Sequence, residues 1–169
     1  MSVEDIRNNI NLNKKIWIHN LTTNCYAYAL GLDVKEKRIR QFAYMPGFIG
    51  KYYYWRDNFT LTSVTNGIYA DMDRLNIGIR EVDPYEEIAK DEWIIALYVN
   101  MINKNNLQDD RICGFHFLRR MEDYNWTHKP NYKKPPTTKD NQGNIITDVY
   151  QCDLQDLEYQ KSFCLKLTR

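Results

Sequence analysis

The feature that most constrains the fold is an unbroken apolar run, Trp93–Val99. Its length suits a β-strand and is well below the about 20 residues that a membrane-spanning helix requires. Because the run has no polar face, we expect it to be a central strand of a sheet. The rest of the chain must then supply the neighbouring strands and the layers that cover them.

Further strands are predicted on both sides of this run. Ile79–Val82 is short and suits an edge strand. Apolar alternation and turn residues predict the other strands at Ile112–Arg120, Trp126–Lys129, Ile145–Tyr150 and 163–167, the first two forming a hairpin.

Helical spacing is confined to the first half of the chain. Val64, Ile68, Met72 and Leu75 recur on one helical face, and 2–12 holds a shorter pattern of the same kind. Asp83 and Pro84 predict one more helical turn, through Ala89.

Helices followed by a run of strands favour an α+β fold, with N-terminal helices packed on a mainly antiparallel β-sheet. The length of 169 residues suits one domain over 1–169, in which 130–143 is a long irregular loop.

Composition excludes several classes of function. The net charge of +1 gives no argument for nucleic acid or a membrane surface as partner, and the first residues lack the order of a secretory signal. Four widely spaced cysteines indicate reduced thiols rather than a disulfide framework. We therefore expect a cytoplasmic protein, in a context that includes phage, viral and toxin proteins. The oligomeric state stays open.

A short capped helix is predicted between Thr22 and Gly31. Thr22, Thr23 and Asn24 suit the N-cap, and Gly31 suits the left-handed position after the last turn. Cys25 then lies in the first turn, where free N–H groups and the helix dipole favour a thiolate. We expect a lowered pKa for this cysteine, as a nucleophile requires.

Two of the three histidines lie on the predicted hairpin. His116 and His128 are twelve residues apart, an even separation centred on Glu122. A loop centred there places the two rings directly opposite each other on one face of the hairpin. One neutral imidazole then fixes the tautomer of the other, so that His116 can remove the proton of a thiol.

The motifs around these residues resemble the NlpC/P60-like branch of the papain-like cysteine hydrolases. The resemblance rests on Asn24–Leu30, Gly114–Phe117 and Trp126–Lys129, although the family's usual start is Asp-Cys followed by a small residue and Gly. It implies a papain-like fold in which Cys25 is the nucleophile and His116 the base.

By the same resemblance, His128 orients the base and no cofactor is needed. The reaction would cleave an amide bond of a peptide or peptidoglycan-type substrate through an acyl-enzyme. The oxyanion would be held by the Cys25 N–H with His19, Asn20 or Asn24. Substrate contacts are assigned to four aromatic side chains, Tyr26, Tyr54, Trp55 and Trp126.

Two alternatives remain open from the sequence. Cys113, His116, His128 and Cys152 are the ligand types of a tetrahedral zinc site, although their spacing matches no standard finger. A non-catalytic papain-like interaction domain of a viral or toxin protein would use the aromatic run and the loop 130–143 as its interface.

Overall fold

The computed structural model describes residues 2–12, 23–32, 45–54, 58–131 and 133–168. In these ranges the chain has an α+β fold, and the five strands form one antiparallel sheet in the order β1-β5-β2-β3-β4. The elements are α1 (Val3–Asn8), α2 (Cys25–Leu30), α3 (Leu61–Leu75), β1 (Ile77–Val82), β2 (Glu92–Met101), β3 (Ile112–Arg120), β4 (Trp126–Thr127) and β5 (Glu158–Leu167). The predicted α+β class is confirmed.

The apolar run lies at the centre of the sheet, as its sequence predicts. β2 pairs with β5 on one side and with β3 on the other, and Trp93–Val99 is almost completely buried. Alternate residues of the run belong to two separate cores, because successive side chains of a strand point to opposite faces. Ile95 and Leu97 face the helices, whereas Ile94 and Ala96 face an irregular layer.

The helical layer covers the first face of the sheet. Val64, Ile68, Met72 and Leu75 of α3 are buried there, and the helix ends at Asn76 in the left-handed conformation. This helix is therefore confirmed at the predicted positions. α2 packs on the same face, nearer to β3.

The second face is covered mainly by chain without regular structure, where two predicted elements are wrong. The predicted helical turn at 83–89 is a short turn at Pro84 and Tyr85 without helix, and Arg120 donates to the carbonyls of Pro84 and Glu86 there.

The predicted strand at Ile145–Tyr150 makes only single pairings, and Asp148 then caps a turn. Ile146, Val149 and Leu154 nevertheless cover this face with buried side chains.

Among the helices in the described ranges, none has the length and apolar character needed to cross a lipid bilayer.

Candidate active site

α2 places Cys25 at its first residue. The side chain of Asn24 accepts from the N–H of Ala27 at 2.8 Å, and Gly31 ends the helix with a φ of 81°. A helix of six residues is not stable alone in water, so packing must hold it. Trp93 donates through Nε1 to the carbonyl of Ala29. The predicted caps and the first-turn position of Cys25 are confirmed.

Cys25 lies against the edge of β3, between two pairings that this edge makes with other described residues. Near one end of β3, Ile112 donates to the carbonyl of Phe59, and near the other end Arg119 pairs with Thr127 of β4. Between these pairings, the backbone N–H of Phe117 is close enough to the Cys25 sulfur to lower the pKa of the thiol. The nucleophile candidate therefore lies beside the residue that follows His116.

The pKa of Cys25 is raised to about 11, so the predicted lowering is wrong. Burial is the largest cause, because a thiolate loses its hydration in this position. The N–H groups of Phe117 and Tyr26 and the charge of Lys129 act in the opposite direction but do not outweigh burial. The resting site therefore holds a neutral thiol.

The two histidine rings meet, although the hairpin register differs from the predicted one. Arg119 pairs with Thr127, so continuing the register would place Leu118 opposite His128. His116 and His128 are thus diagonal neighbours on one face, a spacing that long side chains still bridge. Nε2 of His116 lies 2.7 Å from Nδ1 of His128.

A backbone carbonyl defines the tautomer of this pair. Nε2 of His128 lies 2.9 Å from the oxygen of Lys139, which can only accept, so this nitrogen carries the proton. Nδ1 of neutral His128 then accepts from the Nε2–H of His116. The basic lone pair of His116 therefore lies on Nδ1, which has no hydrogen-bond partner among the described residues.

Burial keeps both imidazoles neutral. The pKa of His116 is lowered to about 3, first by burial and second by the charge that His128 would carry. The pKa of His128 is also lowered by burial, against which the Lys139 carbonyl and Asp140 act. Both directions agree with the neutral tautomers derived from the hydrogen bonds.

The segment predicted as a long irregular loop supports His128. The backbone of His128 exchanges two hydrogen bonds with Thr137, and its ring binds the carbonyl of Lys139. Ile146 then donates to Thr138 and accepts from Trp126. The segment 137–146, called here the returning segment, pairs with the chain beyond β4 through an isolated bridge and holds the imidazole of His128 in place.

Cys25 and His116 approach β3 from different directions. Phe117 points to the helical face, where its ring packs on Tyr26 at 4.9 Å, and His116 points to the other face beside Leu118. No hydrogen bond joins the thiol to the imidazole among the described residues. The thiol therefore adjoins the backbone of the residue that follows His116, while the imidazole points to the opposite face of the strand.

The other predicted site residues have varied positions. Asn24 is the N-cap of α2, with its Nδ2 4.0 Å from the sulfur of Met45. His19, Asn20 and Trp55 lie outside the described residues.

The aromatic residues assigned to substrate are mostly core residues. Tyr26 and Trp126 are completely buried and Tyr54 is 8% exposed, so their burial gives each a packing role. Neither Tyr26 nor Trp126 has exposed surface to offer a substrate. Aromatic residues beside a motif carry no signal that separates core from binding surface, which is why sequence reasoning missed this.

The zinc ligands considered from the sequence are not assembled. Cys113 is exposed with its sulfur at the carbonyl of Asn100, whereas Cys152 lies 3.4 Å from the hydroxyl of Tyr98. Within the described ranges, no group of three or more His, Cys, Asp or Glu side chains could hold a metal ion.

Lys129 is the residue of this region that sequence reasoning missed. Its side chain is completely buried and its charge acts on the Cys25 thiol. The available signal was its position, because Lys129 follows His128 and so points to the opposite face of the strand, toward α2.

Comparisons of the chain with models of known protein families, with curated proteins and with solved structures gave no match.

Proposed function

We propose that this protein is a papain-like cysteine hydrolase of the NlpC/P60-like kind, which cleaves an amide bond of a peptide or peptidoglycan-type substrate. The observation that carries the proposal is the chain of hydrogen bonds from His116 through His128 to the Lys139 carbonyl. It orients the imidazole and leaves a basic nitrogen on the residue before Phe117, whose N–H adjoins Cys25.

The proposed reaction begins from a neutral thiol and a neutral imidazole. Nδ1 of His116 takes the proton of Cys25 as the sulfur attacks the substrate carbonyl, giving a tetrahedral oxyanion. The same Nδ1–H then protonates the departing amine, and the thioester remains on Cys25. Water attacks this thioester while His116 takes its proton, which releases the acid and restores the thiol.

The pKa shifts of Cys25 and His116 indicate at which step of the reaction the thiolate forms. A raised thiol pKa and a lowered imidazole pKa disfavour a preformed thiolate–imidazolium pair. Proton transfer is therefore expected to accompany attack rather than precede it, with His116 acting as a general base. Hydrogen bonds of this kind are often loose without substrate, so the absence of one at rest is compatible with the proposal.

Acyl transfer from p-nitrophenyl acetate tests the proposal, because it detects the acyl-enzyme without a known substrate. We expect acetylation of Cys25 in the wild-type protein, followed by slow release, and none in Cys25→Ala. His116→Ala should slow acetylation by about 10²–10⁴-fold, the usual contribution of a general base. His128→Asn, whose amide oxygen can still accept, should retain more activity than His128→Ala.

Cys113 provides the internal reference for this experiment. It is exposed on the same strand, so its acetylation should not change in His116→Ala and can be removed with Cys113→Ser. Equal acetylation of Cys25 in wild type and His116→Ala, in folded protein, would contradict the proposal and favour a non-catalytic interaction domain.

A further inference from the structure

Lys129 is a buried lysine held by carbonyl groups. Its side chain has no exposed surface, although lysine usually extends its ammonium group into water. Nζ donates to the carbonyl oxygens of Asn131 at 2.6 Å and Lys134 at 2.9 Å. These dipoles stabilise the charged form, and the pKa, which burial lowers to about 8, still leaves the group mostly charged at pH 7.

The strand pairing directs this charge toward α2. Thr127 and Lys129 are two residues apart and share one side of the strand, the side opposite to His128. The hydroxyl of Thr127 lies 3.0 Å from that of Tyr28. Tyr28 and Cys25 are three residues apart on α2 and share one helical face. One hydrogen bond thus aligns the face bearing Cys25 with the strand side bearing Lys129.

The register of the hairpin leads to the same position. Arg119 and Thr127 are the last pair of β3 and β4, and continuing that register by two residues would place Lys129 beside Phe117. The N–H of Phe117 is the group that adjoins the Cys25 sulfur. The electrostatic effect is mutual, since Lys129 lowers the pKa of Cys25 and Cys25 raises the pKa of Lys129.

We propose that Lys129 is a positioning residue of the active site, a fixed buried cation that stabilises the Cys25 thiolate as it forms. The catalytic role of that thiolate rests on the proposed function, whereas the coupling between the two side chains does not.

A thiolate at Cys25 needs a nearby positive charge. Burial raises the pKa of the thiol, and His116 points to the other face of the strand as a neutral group. In the part of the chain that the structure describes, the other charged or titratable groups near α2 include Arg119 on the helical side of β3, Asp71 behind Tyr26, and His128 behind His116. Of these groups and Lys129, Lys129 is the one whose charge lowers the pKa of the thiol.

The pH dependence of iodoacetamide alkylation at Cys25 tests this, with each cysteine followed by mass spectrometry. Lys129→Met keeps the length of the side chain and removes the charge, whereas Lys129→Arg keeps the charge. At pH 7, where Lys129 is still mostly charged, we expect Lys129→Met to slow the alkylation of Cys25 about tenfold, which corresponds to about one pKa unit of lost charge stabilisation, and above the pKa of Lys129 the two rates should converge. Lys129→Arg should remain closer to wild type.

Lys134→Met is the matched control. It removes an exposed lysine charge from the same segment while keeping the backbone carbonyl that binds Lys129. It should leave the alkylation rate at pH 7 unchanged. A rate at pH 7 in folded Lys129→Met that equals the wild-type rate would overturn the inference.

The alkylation test does not require hydrolysis. A protein in which Lys129→Met slows alkylation but Cys25 forms no acyl-enzyme would support this inference and contradict the proposed function.

Discussion

Asp71 joins three parts of the structure through one buried carboxylate. Oδ2 accepts from the hydroxyl of Tyr26 and the N–H of Gly47, both at 2.8 Å, and Oδ1 accepts from the N–H of Gly50 at 2.7 Å. These donors lower the pKa, but burial is the larger effect and raises it to about 6. The Asp71 carboxylate thus connects α2, α3 and the turn at 47–50. Because its pKa is raised, its contribution to the free energy of unfolding depends on pH.

The pKa shift of Asp71 predicts a pH-dependent loss of stability. Because the folded-state pKa exceeds the about 3.9 of an unfolded chain, the unfolded state loses this proton first as the pH rises. Asp71 should therefore lower the free energy of unfolding between about pH 4 and pH 6, by about 3 kcal/mol, and have a constant effect above. Asp71→Asn removes this dependence.

Urea denaturation of wild type and Asp71→Asn at a series of pH values measures this pH-dependent change in the free energy of unfolding. The free energy of unfolding of wild type, minus that of the variant, should fall across the window. Asp73→Asn makes the same change at an exposed position of α3 and should give no such slope. A difference that stays constant from pH 4 to pH 6 would show that Asp71 does not titrate there.

At the scale of the elements, α3 and the turn at 45–51 approach each other through glycine. A Cβ at Gly67 would lie 2.7 Å from the backbone of Pro46, and a Cβ at Gly50 would lie 2.4 Å from that of Ala70. Glycine in a helix interior usually costs about 1 kcal/mol relative to alanine. The close approach of the two backbones explains why α3 nevertheless has glycine at this position.

Gly67→Ala should destabilise the protein despite its better helix propensity. The added methyl group contacts backbone rather than a movable side chain, and overpacking of this kind typically costs about 1–3 kcal/mol. Thermal denaturation followed by circular dichroism measures the change. Asn66→Ala, at an exposed neighbouring position, should instead be neutral or slightly stabilising. A more stable Gly67→Ala would mean that the turn at 45–51 does not pack as described.

At the scale of the whole molecule, Thr127 links the helical layer to the sheet and to the returning segment. Its hydroxyl donates to the carbonyl of Thr137 at 3.1 Å and so accepts from Tyr28 at 3.0 Å. α2, β4 and the segment that supports His128 therefore meet at one side chain. The proposed nucleophile and the proposed imidazole pair depend on this junction for their relative position.

A double-mutant cycle at Tyr28 and Thr127 tests the junction. Thr127→Val removes a buried acceptor and should cost about 1–3 kcal/mol, whereas Tyr28→Phe removes the donor and should cost about 1 kcal/mol. Because the second change relieves part of the penalty of the first, the double variant should be more stable than additivity predicts. Strict additivity of the free energies of unfolding would indicate that the two hydroxyl groups are not coupled.

Local sequence signals predicted much of the fold but only part of the site. The caps of α2, the apolar face of α3 and the central position of β2 were all predicted, since each depends on neighbouring residues or on periodicity. The strand predicted at Ile145–Tyr150 was wrong, because an apolar segment is buried equally well by irregular chain when capped turns satisfy its backbone.

The sequence by itself determined the helix that begins at Cys25, the central apolar strand and the pairing of His116 with His128 on one face of a hairpin. Tertiary structure alone decided the diagonal register of that pair, the raised pKa of Cys25 and the burial of Lys129. The reason is that caps and periodicity act over a few residues, whereas burial and electrostatic coupling depend on which distant segments cover a side chain.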